Sequence, residues 1–334
     1  MTMIKRIALL ILSLYALVSC ENNNGFRIIE TFPDKGMISV TDSVETPYDH
    51  TVCYIAQIIP FDKGYLVFKM DGGYLISVLD SDLNLKGEFL RVGNGPDEFD
   101  YISSLDIAGE DNDSVYIHFN QMTTNGNIYE AALPLDGGKP RCTLLKSLNK
   151  PYREIHKLND SGYLVNNNSN QYQLIKGNGE TIVFEPFDDE NKKECPDFMI
   201  PKYQSLMTIR DDFRLVYGDC DGVPFMATYD SDGKIENKCF FSDPKKKNSN
   251  ESITLWYPAI VDNYLVTLMR RDLTEDGQNW ISKSSIVILN KNLEAVSSYE
   301  LPYQTYAIGY SKAVNGFFFF DEDIQKFYYF NLPE

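Results

Sequence analysis

Histidine and tryptophan are scarce in this chain of 334 residues, with three of the first and two of the second. His50, His118 and His156 share no ligand-type spacing, so a zinc centre built on clustered histidines is not encoded. The cysteines form no Cys-x-x-Cys pair, which removes the common structural-zinc and thiol-redox signatures. Basic residues are few: 31 Lys and Arg stand against 48 Asp and Glu, a net charge of −17. That balance argues against nucleic acid and against an electrostatic grip on anionic lipid. Asp-rich stretches such as Glu110–Asp113 and Asp321–Asp323 lack EF-hand spacing. There is no Gly-x-Ser-x-Gly elbow and no Walker lysine loop. Paired carboxylates for glycoside cleavage cannot be singled out in so acidic a chain. No capped run of 3.6-residue periodicity appears, so helix content is expected to be very low.

The one long apolar run is Ile7 to Ser19, behind Lys5 and Arg6, and it is too short for a comfortable membrane span. It ends Leu17-Val18-Ser19-Cys20, which resembles a bacterial lipoprotein cleavage box. The expected layout is a signal peptide over 1–19, a lipidated Cys20 with a polar tether over 20–24, and one domain over 25–334. The resemblance implies anchoring by lipid in the outer membrane, facing the periplasm or the cell surface. Loss of Lys5 and Arg6 leaves 29 basic residues against 48 acidic ones, near −19. Five cysteines remain, Cys53, Cys142, Cys195, Cys220 and Cys239. They read mainly as small buried apolar residues, with Cys220–Cys239 the disulfide to weigh.

A short strand-like phrase recurs six times. Its copies are Gly64–Phe68, Ser114–His118, Gly162–Asn166, Phe213–Tyr217, Asn263–Thr267 and Gly316–Phe320. Their second residues fall at 65, 115, 163, 214, 264 and 317, giving steps of 50, 48, 51, 50 and 53. A period of this length marks one supersecondary unit copied, each copy unable to bury its apolar face alone. Tyr-, Val-, Ile- and Phe-rich runs separated by Asp, Asn and Gly turns make each unit a set of short strands. In the first unit, Cys53–Ile59 is the inner strand, Tyr65–Met70 the repeated strand, and Tyr74–Leu79 with Lys86–Leu90 the outer hairpin. The spacing predicts an all-β, six-bladed β-propeller. The sixth unit lacks a final strand, and the N-terminal candidates to close the ring are Phe26–Glu30 and Met37–Thr41. An open β-sandwich is the alternative architecture.

Directly after the first outer hairpin stands Arg91-Val-Gly93-Asn-Gly95-Pro96-Asp-Glu98-Phe99. This motif resembles the glycine–proline loop of NHL-repeat propellers. With the lipobox and the six units, it resembles a family of six-bladed propeller lipoproteins from anaerobic Gram-negative bacteria. In that setting the motif staples one blade to the next, or presents a rim loop to a ligand. Some NHL-type propellers are zinc lyases, but the histidines here do not fit such a set. No cofactor is expected, and calcium held by channel carboxylates ranks ahead of zinc.

Aromatic residues recur where the chain enters each inner strand: Tyr101, Tyr152, Tyr203, Trp256, Tyr257, Tyr303 and Tyr306. Arg153, Glu154, His156 and Gln204 share these entries. Such a ring supplies contact area at low entropic cost and is the candidate binding face; packing between blades is the structural counterpart. Lys245–Lys247 reads as a solvated loop. The functional expectation is a lipid-anchored binding or scaffold propeller that recognises a peptide, protein or glycan. A propeller hydrolase or lyase acting at the channel mouth, and a structural subunit of an envelope complex, are the alternatives.

Overall fold

The computed structural model describes residues 27–331 except 50, 53, 70–72, 96–97, 100, 122–125, 151, 159–161, 167–171, 185–202, 211–212, 221–222, 231–233, 244–249, 262–263, 275–278, 304, 306, 312–315 and 322–323. The backbone alone is described at 184, 203–210, 213–214, 219–220, 257, 260, 311 and 331.

Every described element is a strand. Three lie ahead of the repeats: β1 (Arg27–Ile28), β2 (Asp34–Met37) and β3 (Asp42–Glu45). Blade 1 is β4 (Ile55–Phe61), β5 (Gly64–Lys69), β6 (Tyr74–Asp80) and β7 (Leu85–Val92), extended by β8 (Glu98–Phe99). Blade 2 is β9 (Ile102–Glu110), β10 (Ser114–Gln121), β11 (Asn127–Pro134) and β12 (Arg141–Ser147). Blade 3 is β13 (Glu154–Lys157), β14 (Tyr163–Asn166), β15 (Tyr172–Ile175) and β16 (Thr181–Phe184). Blade 4 is β17 (Tyr203–Arg210), β18 (Phe213–Cys220), β19 (Val223–Tyr229) and β20 (Ile235–Phe240). Blade 5 is β21 (Glu251–Val261), β22 (Tyr264–Thr274), β23 (Trp280–Asn290) and β24 (Ala295–Glu300). Blade 6 is β25 (Ile308–Ser311), β26 (Gly316–Asp321) and β27 (Lys326–Asn331), completed by β3. The chain is an all-β, six-bladed propeller, closed by an N-terminal strand in its last blade.

The repeated phrase is the second strand of every blade. These strands lie between two neighbouring blades and bury both faces, as in β5 and β26, where nearly every side chain is buried. A strand covered on both faces needs a continuous apolar run rather than an alternating one. Buried apolar residues accordingly form layers between blades. One joins blades 1 and 2 through Ile76, Phe89, Phe99, Phe119 and Leu133. Others join blades 3 and 4, 4 and 5, and 5 and 6. The ring closes where Ile58, Tyr65 and Val67 of blade 1 meet Phe318, Phe320 and Phe327 of blade 6. There the Tyr65 and Phe318 rings stand edge to face at 4.7 Å, a favoured aromatic geometry. A side chain at Gly309 would run into Phe318 and Ile58, so this approach requires glycine.

The closing strand differs from expectation. β3 pairs antiparallel with β27, from Asp42 opposite Tyr329 to Glu45 opposite Lys326. Of the two segments predicted for this role, Phe26–Glu30 contains β1, which runs parallel on β20 of blade 4, while Met37–Thr41 leads from the end of β2, parallel on β24 of blade 5, to Thr41, whose N–H already bonds to the Tyr329 carbonyl of β27 just ahead of β3. A blade's fourth strand must deliver the chain directly into the next inner strand, and β3 is the segment that leads into β4; connections of this kind are kept short. The Cys220–Cys239 disulfide is also corrected: Cys239 is a buried free thiol, and β19 lies between the strands carrying the two residues.

The antiparallel order assigns each loop to a face. Turns between first and second strands, and between third and fourth, share one face. Connectors between second and third strands share the other face with the blade-to-blade junctions, hereafter the entry face. Deleting residues 21–45 leaves blade 6 with three strands. That variant is expected to lose its single cooperative urea transition and to aggregate, whereas deletion of 21–38 keeps one transition at a lower midpoint.

Candidate functional site

The seam between blades 2 and 3 departs from the others. Its buried apolar layer is reduced to Ile128, Tyr152, Ile155 and Val165. Polar side chains occupy the remainder. Ser104 on β9 reaches across to the inner strand of blade 3, accepting from the Ile155 N–H (3.1 Å) and donating to the Ile155 carbonyl (2.7 Å). Asn120 on β10 packs against the same hydroxyl and is fully buried. Two residues along β9, Asp106 presents both carboxylate oxygens to His156 Nδ1, at 2.8 and 3.0 Å. Glu154, two residues before His156 and on the same side of β13, lies 3.9 Å from His156 Nε2. The same Glu154 oxygen, Oε2, accepts from the Tyr172 hydroxyl at 3.1 Å. Glu154 and His156 are both buried, while Asp106 keeps a quarter of its side chain in solvent.

Burial alone would push His156 towards the neutral form. The Asp106 carboxylate, with help from Glu154, outweighs it and raises the imidazole to about 10. The seam therefore holds an imidazolium between two carboxylates. His118, on β10 of the same seam, behaves oppositely. Its burial lowers its pKa, and the Glu130 carboxylate at 3.1 Å offsets this only in part. One seam thus carries a charged and a neutral histidine at neutral pH.

A second buried cation sits in blade 1. Lys69 is fully buried at the end of β5, paired with Glu88, with Nζ 4.7 Å from the Tyr48 ring centroid. Tyr48 belongs to the connector from β3 to β4, so this cation–π contact fastens the ring-closing crossover.

Blade 5 extends beyond the rest. β21, β22 and β23 are each 11 residues long, where β4 and β5 have 7 and 6. The extra length stands at the β22–β23 end, on the entry face. Polar pairs line it there: Arg271 with Glu251 at 2.9 Å and Arg270 with Asp272 at 2.8 Å as ion pairs, and Arg270 donating to the Ser282 hydroxyl at 3.0 Å. The tip nevertheless carries Leu273, Trp280 and Ile281, with Trp280 46 % and Ile281 65 % exposed. Leu273 and Ile281 are directly paired across the strands.

The sequence-predicted residues divide accordingly. Tyr101 and Tyr303 are exposed on the entry face, at the junctions into blades 2 and 6, each 41 % accessible. Tyr303 also stacks on Tyr328 at 5.1 Å. Tyr152 is buried in the blade 2–3 layer, close against Gly126, whose φ of +70° and contact with the Lys150 carbonyl exclude a side chain. Arg153 is half-buried, its N–H bonded to the Asn166 carbonyl. Trp256 is half-buried against the blade 5–6 layer. Tyr203 and Gln204 begin β17, and Tyr257 lies in β21, with only their backbones described. Tyr306, Pro96, His50 and Cys20 lie outside the described residues.

The glycine loop is a staple. β8 pairs parallel with β7, Arg91 opposite Glu98 and Val92 opposite Phe99. Glu98 accepts from the Gly95 N–H at 2.9 Å and approaches Arg91 at 3.9 Å. A side chain at Gly93 would strike the Glu98 carboxylate. The loop thereby drives Phe99 into blade 2, edge-on to Phe119 at 5.0 Å.

No family model matches the chain, and no curated protein matches it. Among solved structures, the chain is similar to a Bacteroides fragilis protein inferred to be exported, at 11 % identity and a TM-score of 0.39, covering 73 % of this chain and 87 % of that one. It is also similar to Chaetomium thermophilum Raptor, at 11 % identity and a TM-score of 0.47, covering 88 % of this chain and 29 % of that longer one. The Vanderwaltozyma polyspora Nup133 β-propeller domain gives 11 % identity and a TM-score of 0.42, over 85 % of this chain and 97 % of that one.

Sequence reasoning missed Asp106, Asn120 and the blade 5 tip. Asp106 was legible as a lone charge between Leu105 and Ile107 inside an inner strand. Trp280 was legible as an aromatic following the polar run Glu275–Asn279. Among the described residues, no group of three His, Cys, Asp or Glu converges as a metal site would need.

A raised folded-state pKa adds stability that is complete below the unfolded value of about 6.5 and lost as pH climbs through the folded value. The stability advantage of the wild type over His156→Gln is therefore expected to be greatest below pH 6.5 and to shrink steadily towards pH 10. Urea denaturation across that range, with NMR titration of the imidazole, checks it; an ordinary midpoint near 6.5 would contradict the bridge.

Proposed function

We propose that this chain is a lipid-anchored, extracytoplasmic binding propeller that engages a protein or peptide partner on its entry face. It resembles the six-bladed lipoproteins of anaerobic Gram-negative bacteria, and the Leu17–Cys20 box supports outer-membrane anchoring through Cys20. The observation that carries the binding reading is the blade 5 extension. A three-stranded projection, braced by ion pairs and tipped with Leu273, Trp280 and Ile281, rises on the same face as the exposed Tyr101 and Tyr303. Large aromatic and aliphatic side chains held in solvent on a rigid support suit a partner's apolar pocket. A glycan would stack on Tyr101 and Tyr303 but would leave Ile281 and Leu273 without purpose.

Catalysis at the blade 2–3 seam is the weaker reading. A general base must be free to accept a proton near neutral pH. His156 already carries its proton, is buried, and is committed to Asp106.

Two experiments separate anchor from binding face. Cys20→Ser is expected to abolish fatty-acid labelling and to move the protein into the soluble fraction. Trp280→Ala with Ile281→Ala is expected to leave the unfolding free energy within about 0.5 kcal/mol of wild type, as for exposed positions generally. The same pair is expected to reduce a stoichiometric envelope partner at least tenfold in quantitative co-purification. Undiminished recovery of that partner would remove the entry face from the reading.

A further inference from the structure

Outer strand edges are handled unevenly around the ring. Blades 1, 4 and 5 each carry an added fifth strand, β8, β1 and β2, and all three lie parallel to the strand they cover. Blade 6 ends in the four-residue β3, which carries Asp42 and Glu45. A short, charged edge discourages further pairing. β12 of blade 2 is neither covered nor so short, and the charge it carries is basic. It is seven residues long, ends its sheet among the described residues, and is exposed along almost its whole length. Leu144 and Leu145, the latter the extra residue of a bulge opposite Ile128 and Tyr129, are 51 % and 37 % accessible.

Charge sets this edge apart as well. From Gly137 to Arg153 there is no acidic residue and there are five basic ones, in a chain that holds 48 Asp and Glu. Two of the five, Arg141 and Lys146, stand at opposite ends of β12 and are exposed.

We propose that β12 is a strand-addition site for an extended acidic polypeptide segment, which pairs with it in parallel as β1, β2 and β8 pair with their blades. Backbone bonds along the edge would supply affinity. Leu144 and Leu145 would contact apolar side chains, and Arg141 and Lys146 would select acidic neighbours. This rim site is independent of the entry face, and a partner could occupy both.

The test uses the full chain and a capped eight-residue peptide of alternating glutamate and valine, with a lysine–valine peptide as control. The acidic peptide is expected to slow hydrogen exchange of β12 amides at least tenfold, and the control to leave them unchanged. Arg141→Glu with Lys146→Glu, both exposed, is expected to weaken the acidic peptide at least tenfold while preserving the exchange pattern elsewhere. The proposal is overturned by equal binding of the two peptides, by protection outside β12, by no binding, or by affinity that survives charge reversal. Self-association of the wild type that Leu144→Lys dissolves would also overturn it, since the edge would then belong to a second copy of this chain.

Discussion

Each blade has two apolar faces, and neither can be buried without a neighbour. That constraint governs the whole molecule. A blade's second strand sits between two layers, so its side chains are apolar at successive positions, and the repeat is loudest there. A linear stack would leave two terminal blades half-covered. The ring removes both ends, and the Phe-rich strand β26 against Ile58, Tyr65 and Val67 forms the last layer. The N-terminal segment is part of the same solution: β3 fills the fourth place of blade 6, and Lys69 against Tyr48 holds the crossover that follows. Closure by joining the chain's two ends makes blade 6 depend on residues far apart in sequence, so its formation must await the rest of the ring.

Against five apolar layers, the blade 2–3 seam is an exception that needs its own account. Replacing hydrocarbon with an ion triple does not by itself increase stability, because desolvation of the charges offsets much of their attraction. What the triple does is constrain. Asp106 on one inner strand and His156 on the next fix the relative height of two blades, and Ser104 bonds directly to the Ile155 backbone to fix it again. An apolar layer tolerates sliding; hydrogen bonds at 2.7 to 3.1 Å do not. The seam registers blades 2 and 3 at the point where Tyr101 and Arg153 enter them.

The blade count, the position of the repeated strand and the stapling role of the glycine loop were readable because each follows from local composition. Gly64–Phe68 and its counterparts are apolar for a reason that acts at every copy. The identity of the closing strand was not readable. Phe26–Glu30 and Met37–Thr41 look more strand-like than Asp42–Glu45, yet connectivity rather than propensity decided. Similarly, Leu83 and Leu293 occupy turns at positive φ, 63° and 57°, so that their side chains plug the seams. Nothing in a leucine announces that conformation; the Asp80 and Asn290 side chains that bond the turn amides hold it there. Glu154 and His156 drew attention at the inner-strand entry as binding candidates, not as a buried bridge between blades, because their partner Asp106 lies 50 residues away and meets them only through the ring.

Stability and the proposed recognition consequently fall to different parts of the molecule. The layers between blades bury the second and third strands, while Tyr101 and Tyr303 at the junctions stay exposed on the entry face. A projection such as the blade 5 tip can therefore lengthen without disturbing a layer, provided its exposed stem satisfies itself. Arg270, Arg271, Asp272, Glu251 and Ser282 do that, with polar pairs along the stem. With the stem braced by these pairs, Trp280 and Ile281 stand exposed at its end. The proposed binding reading draws on that exposure, since large apolar side chains held in solvent on a braced support suit a contact outside the chain.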